Sequence, residues 1–291
     1  MKFLDKIHSW NRLTEILSQY FHSMVDSPVR KEESLNIELM LEKMALSNQD
    51  EKLDDSQILE IISNYLEFST RTSHPLFNNQ LQAGPRFEAL LGEIISFISS
   101  TTMATYEVAP VATLIESKLI EFINEKIGFK DGSGIMLTGG SNANLQAILC
   151  ARNNLFPETK NIGNGDHGFA VYVSCEAHYS FFKAMNILGL GSDNLFTVDV
   201  DERGRMSSSS LRVQIDLSLS QGLTPLMVAS TCGTTVRGAF DPLNEIQQIC
   251  SEYKVWHHAD AAWGGLLLFD KDKSPLLEGI DAVDSVTFDA H

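Results

Sequence analysis

Four short stretches of this sequence hold the residue types that chemistry needs, each where an apolar run ends. In Thr138-Gly139-Gly140-Ser141-Asn142-Ala143-Asn144, two glycines permit a tight turn and close approach to a ligand. A helix starting there offers free N–H groups and a positive dipole end to an anion. A phosphate cradle fits this pattern, and so does an ordinary strand-to-helix turn with Ser141 or Asn142 as N-cap. In Val255-Trp256-His257-His258-Ala259-Asp260-Ala261-Ala262-Trp263-Gly264-Gly265, an apolar strand ends in a carboxylate followed by small residues. Asp260 could face a protonated ring nitrogen in a low dielectric, with Ala262 leaving room for a flat ring; helix capping and metal binding are its competing uses. His257 and His258 are adjacent, so in a strand they point to opposite faces and at least one is structural.

The third stretch, Ser174-Cys175-Glu176-Ala177-His178-Tyr179-Ser180, offers a histidine able to stack on a ring or move a proton, or simply to fill a structural place. The fourth, Cys232-Gly233-Thr234-Thr235-Val236-Arg237-Gly238-Ala239-Phe240-Asp241, is rich in small and hydroxyl residues. The elements around these stretches explain why they belong together. From Ser133 onward, short apolar or β-branched runs (Gly134 to Thr138, Phe169 to Ser174, Leu195 to Val200, Leu226 to Ser230, Val255 to Ala259, Ser285 to Phe288) predict strands. Helical patterns lie between them at Asn142 to Ala151, Tyr179 to Leu188, Ser209 to Leu219 and Pro242 to Tyr253. Such alternation predicts a mostly parallel α/β sheet covered by helices, whose ligand site lies beyond the carboxyl ends of the strands. All four stretches fall at such ends.

Up to about Gly128 the pattern is helical: Met1 to Phe21, Ile58 to Phe68, Phe87 to Ile98 and Val111 to Ile127, interrupted by an irregular stretch from Ser73 to Pro85. The composition, 43% hydrophobic and 21% charged over 291 residues, is that of a folded chain with a large core. A net charge of -16, from 22 basic and 38 acidic side chains, repels nucleic-acid phosphates and anionic lipid headgroups, so neither nucleic acid nor membrane is an expected partner. An anion site must then be built locally from dipoles and a few cations. The four cysteines, Cys150, Cys175, Cys232 and Cys250, show no metal-ligand spacing, and the first residues read as an amphipathic helix rather than an export signal. The expected location is cytoplasmic, with reduced thiols and no metal site.

Taken in order, the motifs identify a family. Gly139-Gly140, His178, Gly233-Thr234-Thr235 with Gly238-Ala239-Phe240-Asp241, Asp260 to Gly265, and Asp284-Ser285 with His291 closely resemble the group II pyridoxal-phosphate (PLP) dependent decarboxylases. His74-Pro75-Leu76-Phe77-Asn78-Asn79-Gln80-Leu81 and Thr105-Tyr106-Glu107-Val108-Ala109-Pro110 are similar to the branch with glutamate, cysteine sulfinate and some aspartate decarboxylases. The resemblance runs from roughly Ser73 to His291.

It implies the large domain of a type I PLP-dependent transferase (aspartate aminotransferase-like), with a helical N-terminal arm over 1–85 and the PLP-binding domain over 86–291. It further implies decarboxylation of a short acidic amino acid to its amine and CO2 in a homodimer with the site at the interface. By position, Gly140, Ser141, Asn142, Asp289 and His291 would hold the cofactor phosphate. His178 would stack on one ring face and Ala262 pack on the other, while Asp260 pairs with the ring nitrogen. Thr234 would lie near the ring substituents and Gln80 near the substrate carboxylate.

The sequence departs from the family pattern at Ala143, where serine is usual, at Leu76 and Asn78, where arginine and an aromatic are usual, and at Gln82 and Ala83. The family places the cofactor-holding lysine immediately after the histidine matching His291, so the C-terminal small domain is expected to be absent from these 291 residues. A 2,4-diaminobutyrate or other amino-acid decarboxylase, a transaminase or lyase on the same fold, and a truncated non-catalytic paralogue are the alternatives.

Overall fold

The computed structural model describes residues 6–31, 36–44, 52–81 and 84–290. The chain divides into two compact units, Met1–Ser100 and Thr101–His291. Gln82, Ala83 and His291, singled out above, lie outside the described residues.

The first unit holds α1 (Ile7–Ser23), α2 (Ile37–Lys43), α3 (Asp55–Phe68) and α4 (Phe87–Ser99). A capping box starts α3: Gln57 N–H donates to the Asp54 carboxylate at 2.9 Å, and the Gln57 side chain accepts from Asp54 N–H at 2.8 Å. Asp55 in its first turn accepts from Lys6 and, at 2.6 Å, from the Ser9 hydroxyl, which ties α3 to α1. The segment expected to be irregular forms no helix among its described residues. Within it the His74 ring bridges the Val25 carbonyl (3.0 Å) and Leu76 N–H (3.0 Å).

The second unit contains α5 (Pro110–Ile127), α6 (Gly140–Leu155), the single turn α7 (Thr159–Ile162), β1 (Phe169–Ser174), α8 (Ser180–Ile187), β2 (Leu195–Val198), α9 (Ser208–Ser220), β3 (Thr224–Thr231), α10 (Leu243–Tyr253), β4 (Trp256–Ala261) and β5 (Ser285–Phe288). Proline opens α5, where its missing N–H costs nothing, and Gly128 closes it at φ 100°. The five strands run parallel in the order β2-β1-β3-β4-β5.

Alternation along the central strands feeds two cores. Phe169, Val171 and Val173 of β1 pack with Ile148, Phe181 and Met185 of α6 and α8. Ala170 and Tyr172 pack with Leu211, Ile215 and Ile246 of α9 and α10. Because both faces are covered, β1 is buried along its whole length. Between β4 and β5 the chain makes three 3-10 turns, Gly264–Phe269, Ser274–Leu277 and Ile280–Ala282, in place of a crossover α-helix.

One expected strand does not form. Gly134 to Thr138 pairs with no strand among the described residues, and Met136 N–H instead donates to the Glu116 carboxylate at 2.7 Å. An apolar run becomes a strand only when a neighbouring strand supplies its ladder. Here an open cleft of about 790 Å³ lies between this run and β5.

Candidate active site

The carboxyl ends of β1, β3, β4 and β5 and the start of α6 bring the four stretches to one edge of the sheet. Gly139, at φ 119° and ψ 166°, is the N-cap of α6, and neither Ser141 nor Asn142 caps it. Only a residue without Cβ adopts this conformation at little cost. Asn142 is exposed and donates to the Thr138 hydroxyl at 3.1 Å, bracing the loop; Ser141 is also exposed. Gly140 N–H donates to the Asp289 carboxylate at 3.1 Å. A Cβ on Gly140 would meet Asp289 Oδ2 at 3.0 Å and the Ala262 methyl at 3.1 Å. The start of α6, the turn after β4 and the end of β5 thus meet around a backbone that only glycine leaves open.

Asp260 is 5% exposed. Its Oδ2 accepts from the Asn144 amide at 2.8 Å and its Oδ1 from Ala262 N–H at 3.2 Å. Burial pushes its pKa up, while these hydrogen bonds and the His178 ring pull the other way. A buried carboxylate opposed by its own desolvation gains most from a cationic partner. Thr231, the register partner of Asp260 on β3, has a buried hydroxyl with no hydrogen-bond partner. It lies two residues beyond Ala229, which packs toward α6 and α8, so alternation turns it to the same face.

His178, half-buried in the turn between β1 and α8, accepts from Ser180 N–H at Nδ1 (3.3 Å) and packs on Tyr179 with ring centroids 4.2 Å apart. The Thr234 hydroxyl accepts from Ala239 N–H at 3.0 Å, which closes the turn after β3. Asp241 is buried, accepts from Met206 N–H (2.6 Å) and Thr231 N–H (2.7 Å), and has its pKa raised to about 6 by burial. It fixes the end of β3 rather than facing the site.

His257 and His258 point to opposite faces. His257 bonds Ser230 (2.7 Å) and Gln247 (2.6 Å) on the α10 side, whereas His258 bonds Ser285 (2.8 Å) and Asn144 (3.2 Å) on the α6 side. Among the described residues no cluster of three or more His, Cys, Asp and Glu is arranged to hold a metal ion. Gln80 is exposed in the first unit. Sequence reasoning passed over Asn144 and Thr231. Asn144 stands four residues after Gly140 and so on the same face of α6, a spacing that could have found it; the unpartnered state of the Thr231 hydroxyl has no sequence signal.

A parallel sheet whose strand ends gather a glycine turn at a helix start, a buried carboxylate and a half-buried imidazole defines an α/β protein with its candidate ligand site at the carboxyl edge of the sheet. The description "Pyridoxal-dependent decarboxylase conserved domain" fits residues 38–291. The chain therefore belongs to the pyridoxal-dependent decarboxylase family. It is 41% identical to mouse cysteine sulfinic acid decarboxylase over 236 residues, covering 81% of this chain and 48% of that protein. It is 39% identical to human acidic amino acid decarboxylase, covering 81% of this chain and 45% of the relative. The crystal structure of mouse CSAD in apo form superposes with a TM-score of 0.94 at 34% identity, over 99% of this chain and 61% of that one. The chain spans about half the length of the curated relatives it matches.

Proposed function

We propose that this chain supplies the cofactor-binding part of a PLP-dependent decarboxylase acting on a short acidic amino acid. The observation that carries this reading is the buried Asp260 carboxylate beside the Gly140 cradle. The residues fit the cofactor: a helix start at Gly140 packed so closely on Asp289 and Ala262 that a Cβ would crowd it, a buried carboxylate whose desolvation a cation would offset, and the unpartnered Thr231 hydroxyl.

In this reading the start of α6, Gly140, Ser141 and Asn142, holds the phosphate with the helix dipole behind it, and the family resemblance assigns Asp289 and His291 to the same group, His291 lying outside the described residues. His178 and Ala262 flank the ring, and Thr234 lies near its substituents. Asp260 keeps the ring nitrogen protonated. Bound pyridoxal phosphate supplies the sink for the electron pair left when carbon dioxide departs. His178 takes in this reading the role of holding or delivering a proton.

The names of the relatives, cysteine sulfinic acid and acidic amino acid decarboxylase, support an acidic substrate. So does the family resemblance that assigns Gln80 to the substrate: the neutral amides of Gln80 and Asn78 can donate hydrogen bonds to a side-chain carboxylate or sulfinate without adding charge. A homodimer with the site at its interface is supported by the apolar faces of α4 and α5: Phe87, Ile95, Phe97 and Ile98 are exposed on the one, Val111 and Ile115 on the other. A cytoplasmic setting with reduced thiols is part of this reading, in keeping with four widely spaced cysteines, Cys150, Cys175, Cys232 and Cys250. No helix of the described residues is long and apolar enough to cross a membrane.

The test is carbon dioxide release by the full-length protein with aspartate, glutamate, cysteine sulfinate, 2,4-diaminobutyrate and an aromatic amino acid. One of the three acidic substrates is expected to give the highest kcat/KM. A preference for diaminobutyrate or the aromatic would refute the acidic assignment, and no release from any of them would refute decarboxylation of these substrates.

A further inference from the structure

Asn144 is 1% exposed and makes four hydrogen bonds. Its amide nitrogen donates to Asp260 Oδ2 (2.8 Å) and to the Ser180 hydroxyl (3.0 Å). Its oxygen accepts from the Thr287 hydroxyl (2.8 Å) and faces His258 Nε2 (3.2 Å). The opposite amide orientation would set an oxygen against the carboxylate, so the surroundings fix which end is which.

His258 is fully buried, with its pKa pushed down to about 3 by burial, so its ring is neutral and carries one N–H. Nε2 faces the Asn144 oxygen, which only accepts, and the Thr287 hydroxyl (3.3 Å), whose one hydrogen goes to Asn144, so the ring hydrogen sits on Nε2 and Nδ1 accepts from the Ser285 hydroxyl (2.8 Å). Ser285 in turn accepts from the Trp256 indole N–H at 2.8 Å. Every donor in this series points the same way, from Trp256 through Ser285, His258 and Asn144 to Asp260. Hydrogen bonds aligned head to tail polarise one another, and a negative charge at the accepting end gains from all of them.

We propose that Trp256, Ser285, His258 and Asn144 form a positioning relay whose last donor, the Asn144 amide, orients Asp260 and keeps it ionised toward the ring nitrogen of the cofactor. This rests on the proposed function. Trp256, Ser285 and His258 act through Asn144, and Asn144 acts through Asp260. The relay crosses β4, β5 and α6, so it also ties the carboxylate to the helix whose start forms the cradle. Ser180 shares the Asn144 amide without belonging to the aligned series, which makes it the internal control.

The experiment uses the full-length protein carrying pyridoxal phosphate labelled with 15N in its ring. The ring-nitrogen chemical shift reports protonation independently of turnover, and kcat and KM are measured separately. Asn144→Ala is expected to move the ring signal toward the unprotonated value and to lower kcat about ten- to a hundredfold, as for loss of one hydrogen bond to a charged group, with KM unchanged. Ser285→Ala, which removes a hydroxyl remote from the carboxylate, is expected to move both readouts the same way by less, and Ser180→Ala to leave the ring signal in place. If Asn144→Ala does not fold, Ser285→Ala against Ser180→Ala decides. A ring signal unmoved by Asn144→Ala and Ser285→Ala, yet moved by Asp260→Asn, overturns the relay and leaves the site assignment standing. A signal unmoved by Asp260→Asn overturns the role of Asp260, and the relay with it.

Discussion

Gly264 opens the 3-10 turn after the strand that delivers Asp260 and packs directly against another backbone. Its N–H donates to the Cys232 carbonyl at 3.0 Å. A methyl placed on it would sit 2.2 Å from that same oxygen and 2.7 Å from the Phe240 ring. Relieving such contacts requires the two backbones to part by about 1 Å, given that non-bonded heavy atoms rest near 3.5 Å. That movement breaks the hydrogen bond, a loss of about 0.5–1.5 kcal/mol, and overpacking of a dense core adds about 1–3 kcal/mol. Gly264→Ala should therefore destabilise the protein by about 2–4 kcal/mol. Gly92 provides the matched control: it lies inside α4, is exposed, and a Cβ there meets nothing within 4 Å. Gly92→Ala should be stabilising by about 1 kcal/mol through helix propensity. Urea midpoints of the two variants of the full-length protein read the difference directly. The packing argument fails if Gly264→Ala unfolds at the wild-type midpoint, or if the two substitutions shift it in the same direction.

Asp260→Ala in the full-length protein should lower carbon dioxide release by about a hundredfold or more, since a buried ion pair that loses one partner costs about 3–5 kcal/mol; near wild-type turnover would remove Asp260 from the chemistry. His178→Ala should slow release by about 10² to 10⁴, the range of a positioned proton donor, and unchanged kinetics would return it to a structural role in the turn before α8. His257 has its pKa pushed down from 6.5 to about 4 by burial, so its contribution to stability is present above pH 6.5 and is lost as pH falls through 4, a difference of about 3 kcal/mol. Urea midpoints between pH 7 and 4 should fall less steeply in His257→Gln than in wild type. Asp241 carries the opposite sign: raised from 3.8 to about 6, its contribution is fully present below pH 3.8 and is lost as pH rises through 6. Asp241→Asn should remove that part of the profile, and a wild-type slope between pH 4 and 6 in the variant would contradict it.

The sequence by itself determined the elements and the order in which they meet. Period-2 and period-3.6 patterns placed β1, β5 and the helices from α8 to α10 within a few residues, because each buries a continuous apolar face whose spacing is local. The helical run read from Val111 to Ile127 matches α5 (Pro110–Ile127) for the same local reason. The four chemical stretches were legible too, because strand ends combine an apolar run with an abrupt change to small and polar residues.

Tertiary structure alone decided what those residues do for one another. Gly134 to Thr138 reads as a strand but forms none, since pairing depends on a partner that no local pattern supplies. Ser141 and Asn142 have the chemistry of N-caps, yet the turn at Gly139 leaves both exposed. The two adjacent histidines are equivalent on paper, and only the packing of α6 on one face and α10 on the other gives them different partners. Asn144 and Asp260 are 116 residues apart in the chain, and the 2.8 Å bond between them exists because a helix lies across a strand. Hydrogen bonds act over ångströms in space and leave no period in the sequence, so the support of the carboxylate could be read only from the fold.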